Sequence, residues 1–481
     1  FFLPNFHNEV EAANIFFYMT YNRLLILLAG TAATLTLAPF LFSLLIPSDN
    51  KKSFSGIRPG CNMMGDPSSC GTTMSVSDAK EMMAEMSPPD ISPFGTALFS
   101  RLSSSRPSGT NVLVSPLCVS SALALVLAGA TPSSLCESEL LGTLGVPSHL
   151  ALPKLTSTVL SPAKKQTEGK ESMLGVELIT GNSAWVHGSI KSDYASLVSD
   201  VHLASVSALP SDYGPIDDFV SEQTHGLIKN MLSGPVDPLT RAVLVNVVHF
   251  KGLWSNKFDS EKTTEGTFHT PDGKEKTGKF MQDLRSMDIA ENVEHLGGAS
   301  VLRLDYGTSE NDMVSAGEGF TEPEEKEFCA VLILPKDSTD KSLDDVVNGL
   351  ENNPLGELLN SLTSERVKLF LPRFKVEFGV ESLKPQLRQL GISDAFDGRG
   401  VFGSMSDDPE VYLDDVMHKA VMEVTEEGTT AAAATTAIMM ARSIPLPPIV
   451  MTFDRPFVML VMHVPTNTPV FIGRMDDPEL I

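Results

Sequence analysis

The segment NVLVSPLCVSSALALVLAGA, residues 111–130, limits most strongly what this chain can fold into. Ser115 is a residue type that caps helix N-termini, and Pro116 suits the first helical turn. The residues that follow are apolar almost all round, and a helix without a polar face must be covered by other elements. The segment therefore predicts a helix buried inside a large domain.

The chain has 481 residues, and no linker long or polar enough to divide it appears after about residue 91. Length is only a soft guide to domain number, so the missing linker favours one large domain. Residues 47–90 are rich in Ser, Gly, Pro, Met and Asp without helical or strand periodicity, which predicts a poorly ordered, low-complexity spacer. The predicted divisions are 1–18 as an upstream or non-native extension, 19–46 as a signal peptide or signal anchor, 47–90 as the spacer and 91–481 as the globular domain.

The N-terminal segment predicts entry into the secretory pathway and a secreted, extracellular protein. Met19 is the first methionine, and Arg23 precedes an uncharged, mostly apolar run at 24–46. A basic residue ahead of an apolar core is typical of a secretory signal, and small residues at 31–33 suit cleavage. The run is also long enough to span a bilayer, although Pro39 interrupts it. A cleaved signal, an uncleaved anchor and a buried soluble helix stay open, and membrane attachment follows only from the second.

Helical and strand-like segments follow one another without regular alternation. Phe94, Leu98 and Leu102 recur at helical spacing. A second predicted helix places apolar residues on one face at Ile216, Phe219, Val220, Leu227, Ile228 and Met231. Strand-like runs lie at 241–254, 328–335, 366–374, 416–424, 456–464 and 469–474. Because helices mostly precede strands and no βαβ pattern appears, the prediction is an α+β fold with largely antiparallel sheets.

Charge and cysteine content exclude several functions. The net charge of −24 repels phosphate backbones, so nucleic acid is not an expected partner. No pair of the five cysteines has CxxC spacing, which leaves a zinc site unsupported, and no other metal or cofactor is predicted. Cys118 and Cys136 lie in apolar runs and are predicted to be buried thiols, whereas Cys61 and Cys70 lie in the spacer and could pair outside the cell. GRGVFG at 398–403 matches GxGxxG but lacks the flanking strand and helix.

Four segments, in chain order, carry a resemblance to one family. They are NVLVSPLCVSSALALVLAGA (111–130), LVNVVHFKGLWSNKFD (244–259), VMHKAVMEVTEEGTTAAAAT (416–435) and FDRPFVMLVMHVPTNTPVFIGRMDDP (453–478). Through them the chain from about residue 91 resembles the serpins, the serine protease inhibitors. The resemblance implies the serpin fold, with three β-sheets, eight or nine helices and an exposed reactive-centre loop. It also implies that a protease cleaves this loop, forms an acyl-enzyme and is trapped when the cut loop inserts into the central sheet.

The resemblance identifies the hinge of this loop as a segment of small residues that follows two glutamates. Its members are Glu426, Glu427, Gly428, Thr429, Thr430, Ala431, Ala432, Ala433, Ala434 and Thr435. An inserted strand buries alternate side chains between two existing strands, so charged or bulky residues would oppose insertion. Taken alone, the alanines also favour a helix capped by Thr429. The flanking motifs disfavour that helix, except as transient structure in the uncut loop.

Counting from the hinge gives the reactive bond. In inhibitory serpins it usually follows the seventeenth residue from the glutamate that matches Glu426, which predicts cleavage between Arg442 and Ser443. Arginine fits a specificity pocket floored by aspartate, where its guanidinium makes a bidentate ion pair. The predicted partner is a trypsin-like serine protease in a covalent complex. An elastase-like cut beside Met440 and Ala441 is the second choice.

The resemblance further implies two clusters that control opening of the central sheet. Asn246 and His418, together with Ser115, match the shutter, a group of polar residues that hydrogen-bond beneath the sheet. The alternative is that each is a separately satisfied core residue. Trp254 matches the breach, where the loop first enters. The sequence departs from the family at Cys118, where serine is usual and one shutter hydrogen bond is expected to be weaker, and also at Thr430, which is often glutamate.

Two further expectations concern partners and activity. Heparin binding is not expected, because Lys154, Lys164, Lys165 and Lys170 are sparse in so acidic a chain. The protein is predicted to be a monomer and not an enzyme, since no nucleophile–base motif is present. A non-inhibitory serpin, acting as a carrier, chaperone or simple substrate, is the alternative function.

Overall fold

The computed structural model describes residues 74–160, 176–228, 231–232, 234–307, 326–428 and 447–481. Within these ranges lie eleven α-helices, of which eight have nine or more residues. The longer helices are α1 (Val76–Glu85), α2 (Ser92–Ser104), α3 (Pro116–Gly129), α4 (Leu135–Leu144), α5 (Ala151–Leu160), α6 (Ser192–Asp200), α7 (Gly214–Gln223) and α8 (Asp340–Asn352). The short helices are α9 (Leu355–Asn360), α10 (Lys384–Gln389) and α11 (Asp394–Asp397).

Fifteen strands lie in the same described ranges. The first seven are β1 (Val112–Val114), β2 (Val176–Val186), β3 (Ser205–Ala208), β4 (Ala242–Gly252), β5 (Thr264–His269), β6 (Glu275–Val293) and β7 (Ala299–Asp305). The others are β8 (Phe328–Leu334), β9 (Thr363–Pro372), β10 (Phe374–Ser382), β11 (Asp415–Val424), β12 (Ile449–Thr452), β13 (Phe457–His463), β14 (Thr468–Met475) and β15 (Glu479–Leu480). Each strand-like run of the sequence overlaps one of these strands.

The strands form two hydrogen-bonded sheets. Six strands follow the order β15-β10-β11-β4-β2-β3. The other nine follow β1-β14-β13-β8-β7-β6-β9-β12, with β5 paired to β6 off this path. The 19-residue strand β6 pairs with β5 and β9 along its first part and with β7 at its end. Two of the three expected sheets are therefore joined through β6, and the predicted α+β class is confirmed.

Helix α3 is buried along its whole length, as the sequence predicts. Ser115 caps it by accepting a hydrogen bond from the backbone N–H of Cys118, and Pro116 begins the first turn. All fourteen residues of the helix are buried. The helix packs against β14 of the larger sheet and against β2 and β4 of the smaller one, so it lies between the sheets. Its apolar surface is covered from both sides, which is why no polar face is needed.

Helix α7 is shorter than the apolar pattern predicts. It ends at Gln223, and His225 and Gly226 then adopt positive φ. The Thr224 hydroxyl accepts a hydrogen bond from the backbone of Ile228 and donates to the helix, which closes a turn in place of further helix. Leu227, predicted on the apolar face, is 59% exposed. That prediction was wrong, because the chain reverses there.

Part of the predicted spacer is folded. Helix α1 lies within 47–90, and Ser75 caps it by accepting a bond from the backbone N–H of Asp78. Ala79 is fully buried and forms a small apolar cluster with Leu150 and Val201. The prediction of a structureless spacer was therefore wrong for residues 76–85. The segment contains too few apolar residues to show a periodicity, yet one buried alanine and two methionines suffice to dock it.

The structure describes three of the five cysteines, and the predicted N-terminal segments lie outside it. Cys118 and Cys136 are buried free thiols, as predicted, and Cys329 is a third. Cys61 and Cys70 lie outside the described residues, as do the predicted extension 1–18 and the apolar run 24–46. No helix in the described part of the chain is long and apolar enough to cross a membrane.

Candidate functional site

The centre of the six-stranded sheet is a parallel pair of strands. β4 and β11 run side by side from Val243 opposite Asp415 to His249 opposite Val421. Their outer neighbours, β2 and β10, pair with them in antiparallel fashion. Parallel ladders are slightly less stable per residue than antiparallel ones. The β4–β11 pair is therefore the weaker contact in the middle of the sheet.

A buried hydrogen bond crosses this pair. His418 of β11 lies directly opposite Asn246 of β4, and both are fully buried. The His418 Nδ1 and Asn246 Oδ1 atoms are 2.7 Å apart. Because an amide oxygen only accepts, Nδ1 carries the proton, and Nε2 accepts from the backbone N–H of Ser115 at 3.3 Å. Burial lowers the pKa of His418 to about 3, so its ring is neutral at ordinary pH.

The amide nitrogen of Asn246 extends the same network to α3 and β2. It donates to the backbone carbonyl of Cys118 at 3.0 Å and to the side-chain oxygen of Asn182. The structure thus brings together Ser115, Asn246 and His418, and adds Asn182, which the sequence reading missed. Asn182 shares β2 with Glu177, Thr180 and Ser183, so it does not stand out in its own run, and only the β2–β4 register puts it beside Asn246.

Cys118 takes part in the network through its backbone. The bond from Asn246 reaches the Cys118 carbonyl, which any residue at this position would supply. Burial raises the pKa of the Cys118 thiol to about 12, and the neighbouring Ser115 and Asn246 side chains lower it only slightly. The thiol is therefore protonated.

Trp254 holds the chain that leaves β11. Its backbone N–H donates to the carbonyl of Glu427, and its indole Nε1 donates to the carbonyl of Thr425, both at 3.0 Å. The indole is 1% exposed and stacks on Tyr306, with 4.4 Å between ring centroids. A rigid aromatic pair thereby fixes residues 425–427 beside the end of β4.

Glu426 is held by three contacts. Its carboxylate accepts a 2.8 Å hydrogen bond from the Thr263 hydroxyl and forms a 3.4 Å ion pair with Arg373. Its backbone carbonyl accepts from the N–H of Phe258 at 2.8 Å. Glu426 is only 8% exposed. For the adjacent Glu427, burial raises the carboxyl pKa.

Gly428 reverses the chain. Thr425 and Gly428 exchange two backbone hydrogen bonds, of 2.9 and 3.1 Å, in a tight turn. Gly428 also forms an antiparallel bridge with Leu253, just beyond β4. Its φ is +106°, and a Cβ atom here would lie 2.1 Å from the carbonyl oxygen of Gly252. Only glycine fits this turn.

The remaining predicted site residues lie outside the described residues. They are the hinge residues Thr429, Thr430, Ala431, Ala432, Ala433, Ala434 and Thr435, and the reactive residues Arg442 and Ser443. Three of the four lysines considered for heparin also lie outside, and Lys154 lies on α5. Among the described side chains, no group of three or more His, Cys, Asp or Glu could hold a metal ion.

Comparison with known proteins gives a consistent result. The family model described as serpin (serine protease inhibitor) matches residues 90–478. The chain is 30% identical to antithrombin-III of Homo sapiens over 404 residues, which cover 80% of each protein. It is 32% identical to the leukocyte elastase inhibitor of Bos taurus over 394 residues, which cover 80% of this chain and 97% of that protein.

Solved structures share the fold. Human thyroxine-binding globulin matches with a TM-score of 0.66 at 22% identity, covering 83% of this chain and 99% of that one. An Arabidopsis serpin in a native stressed conformation also matches with a TM-score of 0.66, at 24% identity, covering 85% and 100%. At these identities the likeness concerns the fold.

Proposed function

The chain belongs to the serpin family of serine protease inhibitors, and on that premise we propose that it irreversibly inhibits trypsin-like serine proteases as a suicide substrate. One observation carries the proposal. The chain leaves β11, reverses at Gly428 and begins antiparallel pairing with the end of β4, while β4 and β11 still pair with each other. A strand continuing from Gly428 would separate them and pair antiparallel with both.

Such insertion is energetically favourable. One parallel ladder is replaced by two antiparallel ladders, which are more stable per residue. Roughly 15 residues gaining hydrogen bonds at about 0.5–1.5 kcal/mol net each would release on the order of 10 kcal/mol. This is comparable with the whole stability of a typical domain, ~5–15 kcal/mol. The uncut protein would therefore be held in a state above its free-energy minimum.

Under this proposal, insertion that continues the register at Gly428 would bury alternate hinge residues. Continuing the pairing of Gly428 with Leu253 would set Ala431 opposite Phe250 and Ala433 opposite Val248. Phe250 and Val248 belong to the main core, and directly paired residues share a face of the sheet. Ala432 would instead lie opposite His249, on the other face. Small residues at 431 and 433 fit a face that is already packed.

The proposed reactive bond joins Arg442 and Ser443. The protease serine oxygen attacks the Arg442 carbonyl carbon, its proton passes to the protease histidine, and the histidine protonates the departing Ser443 nitrogen. The products are an ester between Arg442 and the protease and a new N-terminus at Ser443. Insertion of the freed loop would carry the ester away before water hydrolyses it. An elastase-like cut beside Met440 and Ala441 remains the second choice.

Incubation with trypsin tests the proposal. The wild-type protein should form a covalent complex that survives SDS, and the cut protein should unfold at a higher temperature than the uncut one. Arg442→Lys should retain the complex because lysine also fits a pocket floored by aspartate, and Arg442→Gln should lose it. Simple cleavage after Arg442, with no complex and no gain in thermal resistance, would contradict inhibition. That outcome would favour a non-inhibitory role as carrier, chaperone or substrate.

We further propose that the protein is a secreted monomer. The support is the basic residue and apolar run at 19–46, followed by an acidic, soluble-type domain. Mass spectrometry of the N-terminus after secretion from cells expressing the full chain tests this. Retention of residues 24–46 in a membrane fraction would indicate an anchor instead.

A further inference from the structure

Two histidines stack at the place where helix α1 docks. His149 lies two residues before α5, and His202 lies two residues after α6. Their ring centroids are 5.6 Å apart, and the ring planes are inclined by 20°. The adjacent Leu150 and Val201 form one apolar cluster with Ala79 of α1. Helix α1 therefore packs across the two chain segments that carry these rings, which we call the imidazole pair.

The imidazole pair is buried and incompletely hydrogen-bonded. His202 is 8% exposed, and the Nδ1 atom of His149 and the Nε2 atom of His202 have no hydrogen-bond partner among the described residues. Burial lowers the pKa of His149 to about 4. Burial, and to a lesser degree the charge of His149, lower the pKa of His202 to about 3. Uptake of a proton by either ring therefore opposes burial of the pair.

The packed elements offer a protonated ring no balancing charge. Helix α3 and strand β3, which pack against α5 or α6, contain no charged residue. The charged groups on the other helices are Asp78, Lys80, Glu81 and Glu85 of α1, Lys154 of α5, and Asp193 and Asp200 of α6. All of the carboxylates among them are exposed, and none raises the pKa of either imidazole. A proton on the pair is therefore unfavourable while α1 is docked.

Helix α1 is held to the domain by few contacts. Ala79 is the only one of its ten residues that is buried. The ammonium of Lys154 donates to the carbonyl of Ala84 at 3.4 Å, at the end of the helix. A ten-residue helix is marginal in water by itself, so α1 stays folded only through its docking. A small change in the free energy of docking is therefore enough to release it.

We propose that the docking of α1 is controlled by pH: the helix covers the imidazole pair in neutral solution and is released in mild acid. Its release uncovers the apolar side chains of Leu150 and Val201. This role is independent of the proposed inhibition, because it involves neither the reactive bond nor the imidazole of His418.

The direction of the effect follows from the pKa values. An imidazole in contact with water titrates near pH 6.5, well above its value in the docked state. The released state therefore binds protons that the docked state does not, and release becomes more favourable as the pH falls below about 6.5. For two rings that titrate independently, the equilibrium constant for release rises about 100-fold between about pH 7.5 and pH 5.5, and about tenfold for one ring.

Amide hydrogen exchange of residues 76–85 measures release. The change in protection, corrected for the intrinsic pH dependence of exchange, gives the change in the equilibrium constant. The full chain is compared with His149→Gln, His202→Gln and the double variant. His187→Gln is the matched control, because His187 is exposed. The amides of α3 are the internal reference, since this helix is buried along its whole length.

The expected result is a pH dependence that counts the two histidines. Protection of α1 should fall about 100-fold between about pH 7.5 and pH 5.5 in the wild type and in His187→Gln. His149→Gln and His202→Gln should each show about a tenfold fall, and the double variant almost none. The amides of α3 should keep their protection in every protein. The ratio between the two pH values cancels any constant loss of docking that glutamine itself causes.

A second variant tests whether α1 is what buries the pair. Ala79→Arg places a charge in the apolar cluster and should release α1 at every pH. The pKa values of His149 and His202, measured by hydrogen exchange at the ring C–H groups, should then rise toward 6.5. A positive charge that stayed nearby would lower them instead. Ala84→Arg makes the same change at an exposed position of α1 and should leave both values low.

Four outcomes would overturn the proposal. Constant protection of α1 in the wild type would show that its docking does not respond to pH. An equal fall in the wild type and the double variant would assign the response to other groups. A joint fall for α1 and α3 would indicate unfolding of the whole domain. Low pKa values in Ala79→Arg, with α1 unprotected, would show that the pair is buried without α1.

Discussion

His418 Nδ1 donates a 2.7 Å hydrogen bond to Asn246 Oδ1. This bond crosses from β11 to β4, the parallel pair of strands at the centre of the six-stranded sheet. The bond joins the two strands that loop insertion would separate. Both side chains are fully buried, so water does not replace the partner when the bond breaks. The pair therefore resists opening of the sheet in the uncut protein.

Removing this bond should make the uncut protein less stable and easier to open. In Asn246→Ala, His418 loses its acceptor, at a cost of about 1–3 kcal/mol for each buried group left unsatisfied. Denaturant unfolding measures the loss, and gel filtration after mild heating measures conversion to inserted or polymeric forms. Ser121→Ala is the control, because Ser121 bonds Thr156 in a buried pair away from β4 and β11. The prediction is wrong if both variants convert equally.

The stability of the protein should fall as the pH is lowered from about 6.5. Burial lowers the pKa of His418 from 6.5 to about 3, so between these values the unfolded chain binds a proton that the folded chain does not. Stability then falls by about 1.4 kcal/mol per pH unit for this one residue, and below pH ~3 its contribution is lost. Burial also lowers the pKa of His149, His202 and His463, which add to the slope.

His418→Gln should remove the contribution of His418, about 1.4 kcal/mol per pH unit, from this pH dependence of stability. Urea unfolding at a series of pH values between about 4 and 6, an interval inside the ~3–6.5 window, gives the slope. The same substitution at exposed His187 is the control. Identical slopes for the wild type and His418→Gln would mean that His418 titrates equally in the folded and unfolded chains.

Adjacent hinge substitutions should have unequal effects. An arginine at 431 would face the packed side of Phe250 after insertion, whereas an arginine at 432 would face the opposite side. Burying the charge opposes insertion, so Ala431→Arg should convert the inhibitor largely into a substrate, while Ala432→Arg should keep most of its activity. The measured quantity is the ratio of cleaved protein to covalent complex after reaction with trypsin. Equal ratios would exclude the register at Gly428 and Leu253.

Gly428→Ala should disrupt the turn before the hinge. The φ of +106° and the nearby Gly252 carbonyl leave no room for a methyl group. We expect a loss of about 1–3 kcal/mol in unfolding free energy, the range for residues forced into strained backbone conformations. Gly379→Ala is the matched control, since nothing lies within 4 Å of a Cβ added there. Similar unfolding midpoints for the two variants would show that alanine at position 428 causes no backbone strain.

The sequence predicted the buried elements well because their patterns are local. Helix α3 and the strands around Asn246 and His418 are largely apolar runs, and three of the four family motifs lie on them. It failed where long-range contacts decide the structure. Helix α1 docks through Ala79, Thr224 closes a turn after α7, and Asn182 reaches Asn246 only through the β2–β4 register. None of these contacts leaves a periodic signal in the chain.

The bridge between Gly428 and Leu253 would set how far the hinge loop reaches along β4 on insertion. If the proposed insertion continued the pairing from that bridge, Arg442 would come level with Leu239, which precedes the far end of β4. Fourteen residues at about 3.3 Å each would then carry a protease attached to Arg442 some 45 Å, from one end of the sheet to the other. Deleting a single residue from 429–441 would shorten this displacement by the length of one residue. Each inserted side chain beyond the deletion would then face the opposite side of the sheet.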